Sequence, residues 1–235
     1  MKKVILAYSG GLDTSCCVKW LKDKGFEVLT YTADLGQGMD FARLKNKALA
    51  CGAAKAYVQD LRDRFANEFV LPALKAGAIY ESKYPLATAL GRPLIAESLV
   101  EIAHKEKAQY IAHGCTGKGN DQVRLEVSIA CLDKKLKITA PLREWSLKTR
   151  EEELNYARSH KIKVDLTRKS PYSTDLNLWG RSIECGVLED PVCEPPEDVY
   201  LLTKNPLKCL NKPVYLTIRF SRGIPIMLNN KKFKL

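Results

Sequence analysis

Val4-Ile5-Leu6-Ala7-Tyr8-Ser9-Gly10-Gly11-Leu12-Asp13-Thr14-Ser15 decides the fold. A β-branched and apolar run ends in a pair of glycines. A helix then runs through Val18, Leu21 and Lys22 and stops at Gly25. The stretch therefore reads as strand, glycine turn and helix. Two glycines allow a ligand close to the backbone, and a helix N-terminus presents unpaired N–H groups and a positive dipole. Ser9, Thr14 and Ser15 add hydroxyl donors, so the turn has the chemistry of an anion cradle. The plainer reading is a tight turn with Asp13 or Thr14 as an ordinary N-cap. Two glycines and several hydroxyls between a strand and a helix argue against it.

The same alternation continues outward. Strands are predicted at Glu27–Thr32, Ala56–Val58, Tyr110–Ala112 and Lys137–Ala140. Helices are predicted from an Asp40 cap to Cys51-Gly52, over Leu61–Ala76 despite Pro72, and over 96–107, 121–131 and 150–160. Such alternation implies right-handed βαβ units and a doubly wound parallel sheet of Rossmann-like α/β class. Ligands of such sheets sit at the carboxyl ends of the strands, so the loops after Tyr8 and Ala112 should line one crevice. From about Lys169, prolines 171, 191, 195, 196, 206 and 213 break the helical pattern, and Val214–Leu228 reads as a β-hairpin. The predicted domains are residues 1–168, a nucleotide-binding unit, and 169–235, the beginning of a smaller α+β unit.

Composition narrows the function classes. The 235 residues are 46% hydrophobic and 28% charged, an ordinary globular balance that excludes disorder, collagen or coiled coil as the overall state. The net charge of +11 would suit a polyanionic partner, but it is concentrated at one end. Residues 200–235 hold eight Lys/Arg and no Asp or Glu, which leaves the first 199 residues at +3. That distribution argues for an enzyme with a basic terminal segment rather than a nucleic-acid binder. Eight cysteines without C-x-x-C spacing do not suggest zinc, and no protein metal site is expected. Ser9 and the glycines interrupt the N-terminal apolar run too early for a secretory leader, and no segment suits a membrane span. A soluble, cytoplasmic protein with free thiols is expected.

Two nucleotide-loop patterns do not fit. Gly117-Lys118 is followed by Gly119 and lacks the first glycine of a P-loop, and Gly36 and Gly38 do not extend to G-x-G-x-x-G. Ser9-Gly10-Gly11-Leu12-Asp13-Thr14-Ser15 instead resembles the pyrophosphate loop of the ATP pyrophosphatases, which cleave ATP between its α and β phosphates. Within that superfamily, His113-Gly114-Cys115-Thr116-Gly117-Lys118-Gly119-Asn120-Asp121-Gln122-Val123-Arg124 resembles the argininosuccinate synthase family. Further matches are Tyr31–Gln37, Gly91–Ala96, Ala140–Trp145 and Gly186–Pro191.

The resemblance implies a ligase that joins citrulline to aspartate with ATP and Mg²⁺, through citrullyl-AMP, releasing AMP and pyrophosphate. It implies that Ala7, Tyr8, Ser9, Gly10, Gly11, Leu12, Asp13, Thr14 and Ser15 wrap the ATP phosphates, with Ala33 and Gly114 contacting the nucleotide. Thr116, Asn120 and Asp121 would bind aspartate. Tyr84, Asn120, Arg124, Ser173 and Ser182 would bind citrulline. Asp13 and Asp121 are the candidate catalytic carboxylates. Taken singly, Arg124 could equally be a surface arginine, Tyr84 a core aromatic and Ser173 a turn residue. His113 reads as an orienting residue, Cys16 and Cys17 as buried helix residues, and Cys115 as reactive only if its pKa is lowered. Ala89 stands where the family often carries a serine hydroxyl toward citrulline, leaving Thr88 as a substitute. Trp179-Gly180-Arg181-Ser182 replaces Leu-His-Ile-Ser.

Family members run on past the hairpin, adding a glutamate and a tyrosine to the citrulline site and a long C-terminal helix for homotetramer assembly. Against them this chain reads as a short form with an incomplete citrulline site. Little synthase activity and no tetramer are expected of it alone. The alternatives are a tRNA-modifying enzyme of the same superfamily and a nucleotide-binding fragment without turnover.

Overall fold

A computed structural model describes residues 1–163 and 172–233. Two compact units emerge, Met1–Arg62 with Ala89–Thr167, and Asp63–Thr88 with Arg168–Leu235. The second unit thus takes in residues 63–88, which the linear reading places in the first. The predicted boundary at 168/169 lies outside the described residues.

The first unit is built on five parallel strands: β1 (Lys2–Ala7), β2 (Phe26–Asp34), β3 (Lys55–Asp60), β4 (Tyr110–Ala112) and β5 (Lys137–Thr139). Their order in the sheet is β3-β2-β1-β4-β5, with Val4 opposite Val28 on one side and Tyr110 on the other. The chain winds outward from β1 in one direction and from β4 in the other, so the winding reverses between them. That is the switch point where ligands of doubly wound sheets bind. Helices α1 (Leu12–Asp23) and α2 (Phe41–Ala50) cross over one face. Right-handed crossovers then require α5 (Ala87–Glu106) and α6 (Asp121–Leu132) to cover the other. Val4, Leu6, Cys16, Cys17, Val18, Leu21, Leu44 and Ala48 form a buried cluster that also takes Ala157 from α8 (Arg150–Ser159). Ile5 alternates to the opposite side and is fully buried as well.

Beneath the sheet, the first turn of β1 and β3 is tied to the end of α5. Buried Glu106 accepts hydrogen bonds from Lys55 Nζ at 2.8 Å and from the Tyr57 hydroxyl. Lys3 Nζ donates to its backbone carbonyl at 3.2 Å.

Several predicted elements shift. The helix expected over 61–76 is an α turn, α3 (Arg62–Arg64), a π segment (Phe65–Val70) and α4 (Leu71–Lys75). Pro72, lacking an N–H, sits in the first turn of α4, and Leu71 N bonds back five residues to Ala66 O. Helix α5 begins nine residues before the expected start and carries Pro93 within it. A short helix, α7 (Pro141–Glu144), follows β5 where only a strand end was read.

Among the described residues, the second unit carries one two-stranded and one three-stranded antiparallel sheet. In β6 (Ser173–Leu176) and β7 (Arg181–Glu184), Asp175 faces Ser182. The connecting turn is anchored on the start of α5, with Asn177 Nδ2 donating to Ala87 O at 2.7 Å and Trp179 Nε1 to Pro85 O at 2.6 Å. The predicted C-terminal hairpin is present as β8 (Ile218–Ser221) and β9 (Ile224–Leu228) and extends to a third strand, β10 (Lys231–Lys232). Arg222 and Gly223 both have positive φ, as do Asn229 and Asn230, the primed-turn geometry that matches strand twist. Residues 214–217, read as strand, lie outside it. Apolar side chains between the hairpins stand in solvent, Leu207 at 94% and Tyr215 at 87% exposure.

Candidate functional site

β1 ends at Ala7, and the chain turns through Tyr8, Ser9, Gly10 and Gly11 into α1. Tyr8 stays in the sheet through Tyr8 N→Tyr31 O at 2.8 Å, while Thr32 Oγ1 donates to Tyr8 O at 2.6 Å. Gly10 has φ +77, a left-handed conformation, and a Cβ there would lie 2.0 Å from Leu44 Cδ1. Only glycine satisfies both conditions. Gly11 is the N-cap of α1, extended and without a side-chain cap. The hydroxyls that could have capped the helix bond one another instead: Ser9 with Thr14 at 3.1 Å, Tyr8 with Ser15 at 3.1 Å, and Ser15 Oγ to Gly11 O at 2.7 Å. Helix α2, by contrast, is closed by Asp40 Oδ1 accepting from Arg43 N, and α8 by a Thr149–Glu152 capping box. The first-turn amides of α1 are thus left for an incoming anion.

The second loop follows β4 on the other side of the switch point. Gly114 meets the first loop, since a Cβ there would lie 2.9 Å from Thr14 Cγ2. His113 is 1% exposed and holds the loop at both ring nitrogens. Cys115 N donates to Nδ1 at 3.2 Å, which leaves Nε2 protonated and donating to Glu126 Oε1 at 3.0 Å. Burial holds its pKa below the ordinary histidine value despite Glu126. The predicted orienting role fits these bonds. Burial also pushes the Cys115 thiol up to about 11, although Arg92 works in the opposite direction, so the condition for a reactive thiol is not met. Cys16 and Cys17 are buried and likewise raised.

Thr116 closes a local turn with Lys118, and Asn120 begins α6 without a side-chain cap. Asp121 lies between two guanidinium groups: Arg92 Nη2 reaches Oδ2 at 2.6 Å, and Arg124 Nη1 reaches Oδ1 at 3.0 Å. Burial raises its pKa, but the bonds and charges of Arg92 and then Arg124 outweigh this and leave it below the usual carboxylate value. Asp13, in the first turn of α1, lies beside Glu153 of α8. Burial first, then Asp13, pushes the Glu153 carboxyl up to about 7. Ala33, near the end of β2, is buried, with Gln37 Nε2 bonded to its carbonyl at 2.6 Å.

In the second unit, the Tyr84 hydroxyl accepts from Thr88 N at 2.9 Å and Thr88 Oγ1 meets Ser182 Oγ at 3.2 Å. Tyr84, Thr88 and Ser182 thus form one hydroxyl cluster. Ser173 is exposed at the start of β6, paired in register with Glu184. Sequence reasoning missed Arg92, Glu126, Glu153 and Lys47, which support the loops from distant elements. Among the described residues, no group of three or more His, Cys, Asp or Glu side chains could hold a metal ion, and no helix is long and apolar enough to cross a membrane.

A parallel sheet whose switch point carries an uncapped glycine loop and a second glycine loop touching it defines a nucleotide-binding domain of the HUP, or PP-loop, class. The description "Arginosuccinate synthase N-terminal HUP domain" matches residues 3–163, and "Arginosuccinate synthase C-terminal domain" matches 172–235. The chain belongs to the argininosuccinate synthase family. The argininosuccinate synthase of Aquifex aeolicus is 53% identical over 99% of this chain and 58% of that protein. That of Dictyoglomus turgidum is 55% identical over 97% and 57%, respectively. The chain therefore spans about 57–58% of the length of these curated relatives. Among solved structures, a 4-thiouridine synthetase–RNA complex with bound ATP aligns with a TM-score of 0.47 at 14% identity, over 68% of this chain and 40% of that one.

Proposed function

We propose that this chain carries the ATP- and aspartate-binding part of an argininosuccinate synthase. The observation that carries the reading is the uncapped N-terminus of α1, set by left-handed Gly10 at the carboxyl end of β1. In the reaction the ureido oxygen of citrulline attacks the α-phosphorus of ATP and pyrophosphate leaves. The aspartate amine then attacks the ureido carbon and displaces AMP. Magnesium arrives with the nucleotide as part of the substrate.

Ala7 to Ser15 hold the leaving pyrophosphate through first-turn amides and hydroxyls that are oriented before it binds. Asp13 orients the nucleotide end of the loop. Ala33 lies against the base, and Gly114 lets the second loop approach the nucleotide. Thr116 and Asn120 donate to the carboxylates of aspartate, and Asp121 accepts from its ammonium group through lone pairs not used by the two arginines. Asn120 and Arg124 face the citrulline carboxylate, Arg124 through its remaining donors. Tyr84, Ser173 and Ser182 supply hydroxyls for citrulline, and Thr88 takes the place of the hydroxyl that Ala89 lacks. In the tRNA-modifying alternative a nucleophilic thiol is needed, and the protonated Cys115 does not favour it.

Calorimetry with Mg·ATP tests the nucleotide reading: saturable one-to-one binding to folded protein is expected, and none would refute it. Release of AMP dependent on both citrulline and aspartate tests the ligase reading. Binding without such release, even with the rest of the family's length supplied, would favour the non-catalytic alternative.

A further inference from the structure

We infer that helix α2 is the positioning platform of the phosphate loop and that Lys47 is the residue that aims it, an inference that rests on the loop's reading as a pyrophosphate cradle. Leu44, Lys47 and Cys51 fall at i, i+3 and i+7 along α2 and its C-cap, one face of a helix. All three meet the loop. Leu44 occupies the space a Gly10 side chain would need, and Lys47 Nζ donates to the Gly10 carbonyl at 2.7 Å. The Cys51 thiol lies beside the hydroxyls of Tyr8 and Ser15. Lys47 is half-buried, and its bond to the Gly10 carbonyl holds the ammonium against the loop backbone.

The consequence follows from peptide geometry. In a trans peptide the carbonyl and the following N–H point in opposite directions. Fixing the Gly10 carbonyl on Lys47 turns the Gly11 N–H to the other side, where it meets Ser9 Oγ at 3.4 Å. That contact is long, and a phosphate oxygen replaces it with a shorter, charge-assisted bond. Lys47 therefore acts twice, by setting the direction of a donor and by placing a positive charge under a polyanion. Both effects concern the phosphate end of the ligand and neither concerns the base.

The probes are inorganic pyrophosphate, Mg·ATP and adenosine, titrated calorimetrically into wild type, K47M, K47Q and K47R. Loss of one charged hydrogen bond predicts roughly tenfold weaker binding of pyrophosphate and ATP to K47M, unchanged adenosine affinity, an intermediate K47Q and near-complete rescue in K47R. Equal pyrophosphate affinity in wild type and folded K47M would overturn the inference, as would adenosine weakening in step with pyrophosphate. Should K47M not fold, wild-type pyrophosphate affinity in K47Q would overturn it. Wild type binding neither ATP nor pyrophosphate would instead refute the nucleotide site itself.

Discussion

Gly10→Ala tests the loop most directly, because its cost can be worked from two independent features. The first is conformational: at φ +77 an alanine adopts a left-handed backbone, worth about 1–2 kcal/mol. The second is steric. The new methyl would stand 2.0 Å from Leu44 Cδ1, and Leu44 is only 7% exposed, so the side chain must leave a packed position at about 1–3 kcal/mol. Together these predict roughly 2–5 kcal/mol of destabilisation by urea unfolding. Leu44→Ala alone should cost about 2–3 kcal/mol as a cavity. The double variant removes the clash but not the backbone strain, so its cost should fall short of the sum of the singles by about 1–3 kcal/mol. G10A within about 0.5 kcal/mol of wild type, or strict additivity with L44A, would refute the reasoning.

Three further outcomes are expected. Glu153 binds its proton more tightly in the folded chain than in the unfolded one, so the stability it contributes is fully present below about 4.5 and is lost as pH rises through about 7. Glu153→Gln should flatten that decline, worth roughly 1 kcal/mol after allowance for partial exposure, and parallel pH dependence in the two proteins would contradict the Asp13–Glu153 pairing. Glu106 has the opposite sign: Lys55 and then Tyr57 lower its pKa to about 2, so the stability it contributes is present above about 4.5 and lost as pH falls toward 2. Glu106→Gln should cost roughly 2 kcal/mol at neutral pH, with the gap closing in acid, as followed by urea midpoints. Nitrogen-15 NMR of the imidazoles should find His113 as the neutral Nε2–H tautomer at pH 6.5, about where an ordinary histidine is half charged, and a His113 imidazolium there would count against the loop's hydrogen bonding.

Local chemistry made much of this molecule legible. Gly10, Gly11 and the hydroxyls around them announce a strand–loop–helix cradle because the residues that build it are neighbours in sequence. The Asp40 cap and the Arg222-Gly223 turn were readable for the same reason. What escaped depends on distance. Leu44 and Lys47 reach Gly10 across 34 and 37 positions, and Glu153 reaches Asp13 from another helix. No periodicity records such contacts. The β6–β7 hairpin escaped differently: Ser173-Thr174-Asp175-Leu176 is exposed along its length and shows no alternation of apolar and polar faces. The π segment before Pro72 was hidden by an apolar spacing that suits an α-helix as well.

The absence of side-chain caps on both α1 and α6 links ligand level to protein lifetime. A bound polyanion would satisfy the first-turn amides of α1, which no side chain caps. A ligand at a hundred times its dissociation constant would add about 2.7 kcal/mol to folded stability. Local opening of the two loops, and with it their access to a protease, should therefore fall as phosphate-bearing ligand accumulates. The geometry that recognises the nucleotide would also set how long the domain survives without it.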